Sequence, residues 1–238
     1  MSRRLSLLSA EAIGEPRLLP MAAVLTSAGL YATLPTRFIA GRSAGVFSDA
    51  RWVVPGLTVL LLLVLVASVP EGPFERPLGL RALRLRIERR VAALAVIGLV
   101  SVANAASITL LVHLLVHGAH AQASLLLRAG IHMWCLNVLV FALWFWELDN
   151  GGPVARLTAG PEGRDFLFPQ QADPSIAPQG WRPLFLDYLY LSFTNATAFS
   201  PTDTMPLSRW AKMLMLVEAA VSLVLALMVA ARAVNILK

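Results

Sequence analysis

Apolar residues fall in long uninterrupted blocks along this chain, at 18–34, 53–69, 91–116, 129–146 and 207–237. Blocks of that kind, unlike alternation or narrow stripes, predict helices that cross a bilayer, each needing roughly 20 apolar residues. The first block is bounded by Arg17 and by Pro35 and Arg37. It carries Pro20 near its start, where proline is tolerated. The second ends at Pro70. The middle of the third, SVANAAS at 101–107, is small and polar, a composition that favours close helix–helix contact in lipid. The fourth ends in Trp144, Phe145 and Trp146, an interfacial aromatic belt. Glu147, Asp149 and the turn sequence Asn150-Gly151-Gly152-Pro153 follow it.

One apolar run breaks the series. The stretch 183–195 is about 20 Å long as a helix, too short to cross a bilayer. The polar residues Ser200-Pro201-Thr202-Asp203-Thr204 follow, and then the last long block. A half-length helix, a polar return and a full-length helix predict a re-entrant hairpin. Irregular backbone of that kind is tolerated at membrane depth only inside protein or beside a water-filled cavity. The expected fold is an all-α integral membrane protein with five transmembrane helices plus one re-entrant helix. Residues 1–121 would hold helices one to three. Residues 122–238 would form a module: outer helix 123–146, extramembrane loop 147–180, re-entrant helix 182–196, loop 197–206 and inner helix 207–237.

Composition agrees with a membrane setting, with 57% hydrophobic and 14% charged residues against roughly 25% charged in soluble domains. The net charge of +6 comes from arginines beside apolar blocks, so it does not predict nucleic-acid binding. The expected partners are the lipid bilayer and further copies of the chain. Six arginines lie in 71–90. That stretch reads either as an amphipathic continuation of the third helix along the headgroups or as an ordinary cytoplasmic loop, and the loop is favoured. A single cysteine, Cys135, excludes an internal disulfide. The first sixteen residues lack the apolar core of a cleavable signal peptide. Asn195-Ala196-Thr197 matches a glycosylation sequon at the inner end of the short helix, where the match is fortuitous.

The chain carries no Ser/His/Asp, metalloprotease, P-loop or dinucleotide pattern. A non-enzyme without a cofactor is expected. His113 and His117 are one turn apart, and His120 follows at three residues. No carboxylate or cysteine is near them in sequence, so interfacial packing is preferred over a metal site. Glu218 is the one acidic residue deep in an apolar block, and an intramembrane carboxylate is costly. Rise per residue brings Asn137 of an antiparallel fourth helix to its depth. The short helix offers Tyr188, Tyr190 and Asn195. Glu218 is therefore expected to hold the hairpin by hydrogen bonds.

Positions 190–206 resemble the pore helix and filter of tetrameric potassium-type cation channels, whose pattern runs Y-x-S-F-x-T-x-T-T-V-G-Y-G-D-x-x-P. Tyr190, Ser192, Phe193, Thr197, Asp203 and Pro206 fall on it without a gap, and Glu218 falls on a later glutamate. The five filter positions become Ala198, Phe199, Ser200, Pro201 and Thr202, so both filter glycines are lost. Those glycines allow successive carbonyls to face an ion, and Pro201 further restricts Ser200. The resemblance implies a homotetrameric pore with Thr197–Asp203 at its constriction and no strong potassium preference. A non-conducting accessory subunit that keeps the hairpin as structure is the alternative. The last third is also similar to an uncharacterised group of bacterial membrane proteins with several helices before such a hairpin, which implies the cytoplasmic membrane. Orientation is contested. With the N-terminus inside, the inner segments hold 14 of the 20 Lys and Arg residues, as the positive-inside rule prefers. The channel resemblance implies the reverse.

Overall fold

The computed structural model describes residues 18–35, 50–67, 80–116, 123–153, 155–157, 160–198 and 203–236. It is mostly helical. The long helices are α1 (Leu18–Thr33), α2 (Ala50–Ala67), α3 (Leu80–Val116) and α4 (Ala123–Leu148). A strand, β1 (Phe166–Leu167), and a single turn of helix, α5 (Pro169–Ala172), precede α6 (Phe185–Ala198). Strand β2 (Met205–Pro206) and helix α7 (Arg209–Ile236) complete the described chain. Three stretches among the described residues are long and apolar enough to cross a membrane: Arg90–Val116, Ser124–Gly151 and Arg209–Ala231. Leu18–Thr33 is apolar but has only 16 residues.

Helix α4 is the centre of the bundle. It packs against α1 and α3 on one side and against α6 and α7 on the other. Met133, Leu136, Val140, Ala142 and Phe145 of this helix are all buried. Helix α7 is the opposite case. Its buried residues Ala211, Met215, Glu218, Ser222 and Leu225 repeat at spacings of four and three, a single narrow seam. Much of the rest of its described surface, including Met213, Leu216, Val217 and Leu227, is exposed. In water such a surface would be a liability; in lipid it is ordinary. Gly130 lets α7 come close to α4: a Cβ there would stand 2.5 Å from the Val229 side chain.

Several expected boundaries move. The arginine-rich stretch, favoured as a loop, is helical from Leu80 onward, so α3 is one helix of 37 residues, about 55 Å at 1.5 Å per residue. Its leucine- and arginine-rich start contains no Gly or Pro to stop it. The short helix begins at Phe185 and continues through Ala198, two residues beyond the expected end. Thr197 and Ala198 are therefore the last turn of α6 and not loop. Loop 147–180 is more ordered than its composition suggests. The predicted turn is present, with Asn150, Gly151 and Gly152 at φ of 52°, 79° and 98°. Gly152 is required there, because a Cβ would lie 2.9 Å from the carbonyl of Glu147.

Candidate functional site

The site is the packing of α6 between α4 and α7. Strand β1, before α6, pairs antiparallel with β2, after it, with Phe166 opposite Pro206 and Leu167 opposite Met205. The chain on either side of α6 thus meets at one place. Phe166 fills the junction. It makes edge contacts with Phe145 of α4, Tyr188 of α6 and Trp210 of α7, at centroid distances of 5.2, 6.4 and 6.0 Å. The last turn of α4 and the first turns of α6 and α7 are thus gathered around one buried ring.

Two aspartates hold this junction. Asp149 is buried. Its Oδ1 accepts from the backbone amides of Asp165 at 3.0 Å and Phe166 at 3.3 Å, and its Oδ2 accepts from the Tyr188 hydroxyl at 2.5 Å. Asp165 accepts from the Trp210 indole at 2.7 Å and from the amide of Asn150 at 3.0 Å, and its own carbonyl accepts from Leu207 N–H at 2.7 Å. Arg156 donates to the carbonyls of Trp146 at 2.6 Å and Asp149 at 3.0 Å, and its guanidinium lies 5.0 Å from the centre of the Tyr188 ring. Sequence reasoning missed this hub. Its signal was present only as Asp149 after an aromatic belt.

Deeper in the bundle, Glu218 is fully buried. Its Oε2 accepts from Asn195 Nδ2 at 2.7 Å, and its Oε1 contacts the hydroxyl of Ser192. Asn195 also donates to the carbonyl of Met215 at 2.9 Å, and Ser192 donates to the carbonyl of Val138 at 2.7 Å. Serine has one hydroxyl hydrogen. That hydrogen can serve the Val138 carbonyl or Glu218 at any one time, and both oxygens lie within its reach. Helices α4, α6 and α7 are linked through this one group of bonds.

The expected partners are sorted by this geometry. Asn195 is beside Glu218 as expected. Asn137 is not; it donates to Ser222 at 3.1 Å, one turn further along α7. Tyr188 is turned to Asp149. Tyr190 is exposed, and no side-chain bond joins it to Glu218 among the described residues. Ser192 is the residue that was overlooked as a partner. Thr197 is exposed, and its hydroxyl closes on the carbonyls of Phe193 at 2.8 Å and Thr194 at 3.2 Å. Asp203 is exposed and accepts from Thr204 at 3.2 Å. Phe199, Ser200, Pro201 and Thr202 lie outside the described residues, as do His117 and His120. His113 is exposed. Among the described residues no group of three His, Cys, Asp or Glu side chains is placed to hold a metal. At the rim, Asp187 caps the start of α6 by accepting from Leu184 N–H at 2.7 Å. Burial pushes its carboxyl up, and that hydrogen bond pulls it back.

Comparison with protein-family models, with curated proteins and with solved structures gives no match.

Proposed function

We propose that this chain is a pore-forming membrane protein, a homotetrameric cation pore of weak selectivity. In this reading it has five membrane-spanning helices, and α6 is a re-entrant helix between them. The observation that carries the reading is the α6 hairpin. A helix of 14 residues, about 21 Å long, leaves and returns to one junction at β1 and β2 and is bonded at depth to its neighbours through Ser192 and Asn195. The narrow buried seam of α7 supports further copies, since much of its remaining surface is apolar and exposed among the described residues. Helix α6 ends in the half of the hairpin away from the junction, and a helix C-terminus favours a cation. The residues 197–203 would form the constriction. A hydroxyl that donates its hydrogen to a carbonyl, as Thr197 does, still offers lone pairs to an ion.

A second reading is a non-conducting subunit that keeps the hairpin as structure. It is favoured by the closure of the Thr194 and Thr197 hydroxyls on α6's own backbone. Ion flux through planar bilayers containing the purified protein separates the two. The pore reading expects conductance with reversal potentials that distinguish potassium from sodium only weakly. A preference on the order of a hundredfold would contradict the loss of both filter glycines. Absence of conductance, with a particle reconstruction lacking a four-fold axial opening, would select the structural subunit. Orientation is tested by reporter fusions to the C-terminus.

A further inference from the structure

The described residues between α4 and α6 form a cap with a cleft of about 700 Å³. Trp181, Gln170 and Gln179 are in its wall, with Pro174 and Pro178 beside them. We propose that this cleft binds a neutral sugar, with a pyranose ring laid on Trp181 and its hydroxyls bonded to the glutamine amides. The site is independent of whether the hairpin conducts.

Charge excludes the other ligand classes. Residues 147–206 carry seven acids, Glu147, Asp149, Glu162, Asp165, Asp173, Asp187 and Asp203, against three arginines, Arg156, Arg164 and Arg182. An anion therefore finds no net attraction in the cap. All three arginines line the cleft, so a cation meets like charge at its wall. An apolar guest would strip water from guanidinium and amide groups and return no hydrogen bonds. A neutral molecule with many hydroxyls needs none of these charges to be free of its acid partners. Each hydroxyl both donates and accepts, and so does a glutamine amide.

The wall is also fixed. Trp181 N–H donates to the carbonyl of Pro178 at 3.0 Å, and Gly180 between them has a φ of 76°. That is a type II turn, which favours glycine at its third position. Pro174–Ile176 is a 3-10 turn capped by Asp173, whose carboxylate accepts from Ser175 N–H at 2.9 Å. Gln170 lies on the single helical turn α5. The Trp181 ring meets Phe168 at 6.0 Å. It is half-buried, packing partly on the core while also lining the cleft. A pyranose has a face of C–H groups, and an aromatic ring takes that face out of water while leaving the hydroxyls at the edge for polar groups. Walls already fixed lose little freedom on binding. The volume is in the usual range for small-molecule sites, roughly 300–1,000 Å³. The cleft adjoins the end of the apolar stretch Ser124–Gly151, which leaves two sources for the same chemistry, a soluble sugar and a glycolipid headgroup.

The test uses the full chain in nanodiscs, with saturation-transfer NMR on the sugar protons as the readout. The probes are methyl glucoside, methyl galactoside, maltose and lactose, with glucose 6-phosphate as the charged comparison. One set of discs is made of phosphatidylcholine and another adds monoglucosyl diacylglycerol. Saturable transfer to a neutral probe, equal in both discs, identifies a soluble sugar. Transfer in plain discs that the glycolipid competes away identifies a headgroup. Both outcomes support the site. Gln170→Leu with Gln179→Leu should weaken binding about tenfold, the loss of one or two neutral hydrogen bonds, with melting unchanged. Trp181→Ala should remove binding and Trp181→Tyr should keep part of it, with protease resistance of the cap as the check on folding. No saturable transfer to any neutral probe, tighter binding of glucose 6-phosphate than of methyl glucoside, or undiminished binding after Gln170→Leu with Gln179→Leu or after Trp181→Ala would overturn the proposal.

Discussion

On the side of α4 that meets α6 and α7, Asp149, Ser192, Asn195 and Glu218 are buried, and each is hydrogen-bonded across segments. In the layer of α1, α2 and α3, Thr58 Oγ1 and Asn104 Oδ1 are buried with no partner among the described residues. The buried Ser27 there turns back on its own helix at Ala23. Ser101 does accept from the Trp144 indole at 2.8 Å, but that bond reaches toward α4. Packing in the first layer relies mainly on small residues at close approach, such as Ala23, Ala28 and Ala103, with a single bond between Tyr31 of α1 and Ser107 of α3 among the described residues, whereas the hairpin layer is fixed by a network of directional bonds. Directional bonds specify one arrangement of an irregular backbone. Helices packed by small residues need no such specification. The same residue class, a buried polar side chain, should therefore be essential in one layer and dispensable in the other.

The largest effect is expected at Asp149. Replacing it by leucine strands the Tyr188 hydroxyl and two backbone amides, at roughly 1–3 kcal/mol for each buried group. The summed loss is about 3–9 kcal/mol, enough to unmake the cap. The check is thermal melting of the purified protein together with protease resistance of residues 147–180. A variant that melts with the parent and keeps its cap would refute the contrast between layers at its strongest point. Asp149→Asn keeps one acceptor and should fall between the two.

Glu218 comes next. Glu218→Leu leaves Ser192 and Asn195 without their partner, at about 1–3 kcal/mol per group, and should lower the melting temperature of the oligomer. Glu218→Gln can donate to Ser192 and accept from Asn195, so it should melt close to the parent. Flux through liposomes is the second readout. Loss of flux in the glutamine variant, with assembly and melting unchanged, would move Glu218 from support to the permeation or proton path.

These two sites differ in how far the sequence revealed them. Glu218 stood out because a carboxylate in an apolar block is costly anywhere. Rise per residue placed Asn137 within about one turn of its true partner, Ser222, but depth says nothing about azimuth. Tyr190 shows the same limit. At 3.6 residues per turn it stands about 200° around α6 from both Tyr188 and Ser192, which are buried. The short length of α6 and the Asn150-Gly151-Gly152 turn were legible from local chemistry alone. The hub of Asp149, Asp165, Tyr188 and Trp210 was not, because it joins four segments and no period or motif records which side chains meet.

A smaller effect tests the hub from α7. Trp210→Phe retains an aromatic edge against Phe166 but removes the indole donor to Asp165. A hydrogen bond to a charged group is worth about 1.5–3 kcal/mol, and partial solvent access at Trp210 should bring the loss to the lower end. Melting should drop less than for Glu218→Leu. A larger drop would mean that the ring packing around Phe166, and not the carboxylate, holds the start of α7.

The smallest effect carries the opposite sign. Thr58→Val replaces a buried hydroxyl that has no partner among the described residues by a methyl group of similar size, and Asn104→Leu does the same for an amide oxygen. Removing an unsatisfied buried group costs nothing in lost bonds and recovers part of its desolvation penalty. Melting should stay level or rise, by up to about 1 kcal/mol for each. Leucine is larger than asparagine in shape at its branch, so Asn104→Ala serves as the control for overpacking. If Thr58→Val and Asn104→Leu both lower the melting temperature while leaving helix content unchanged, those groups have partners beyond the described residues of one chain. The first layer would then be as specified as the hairpin.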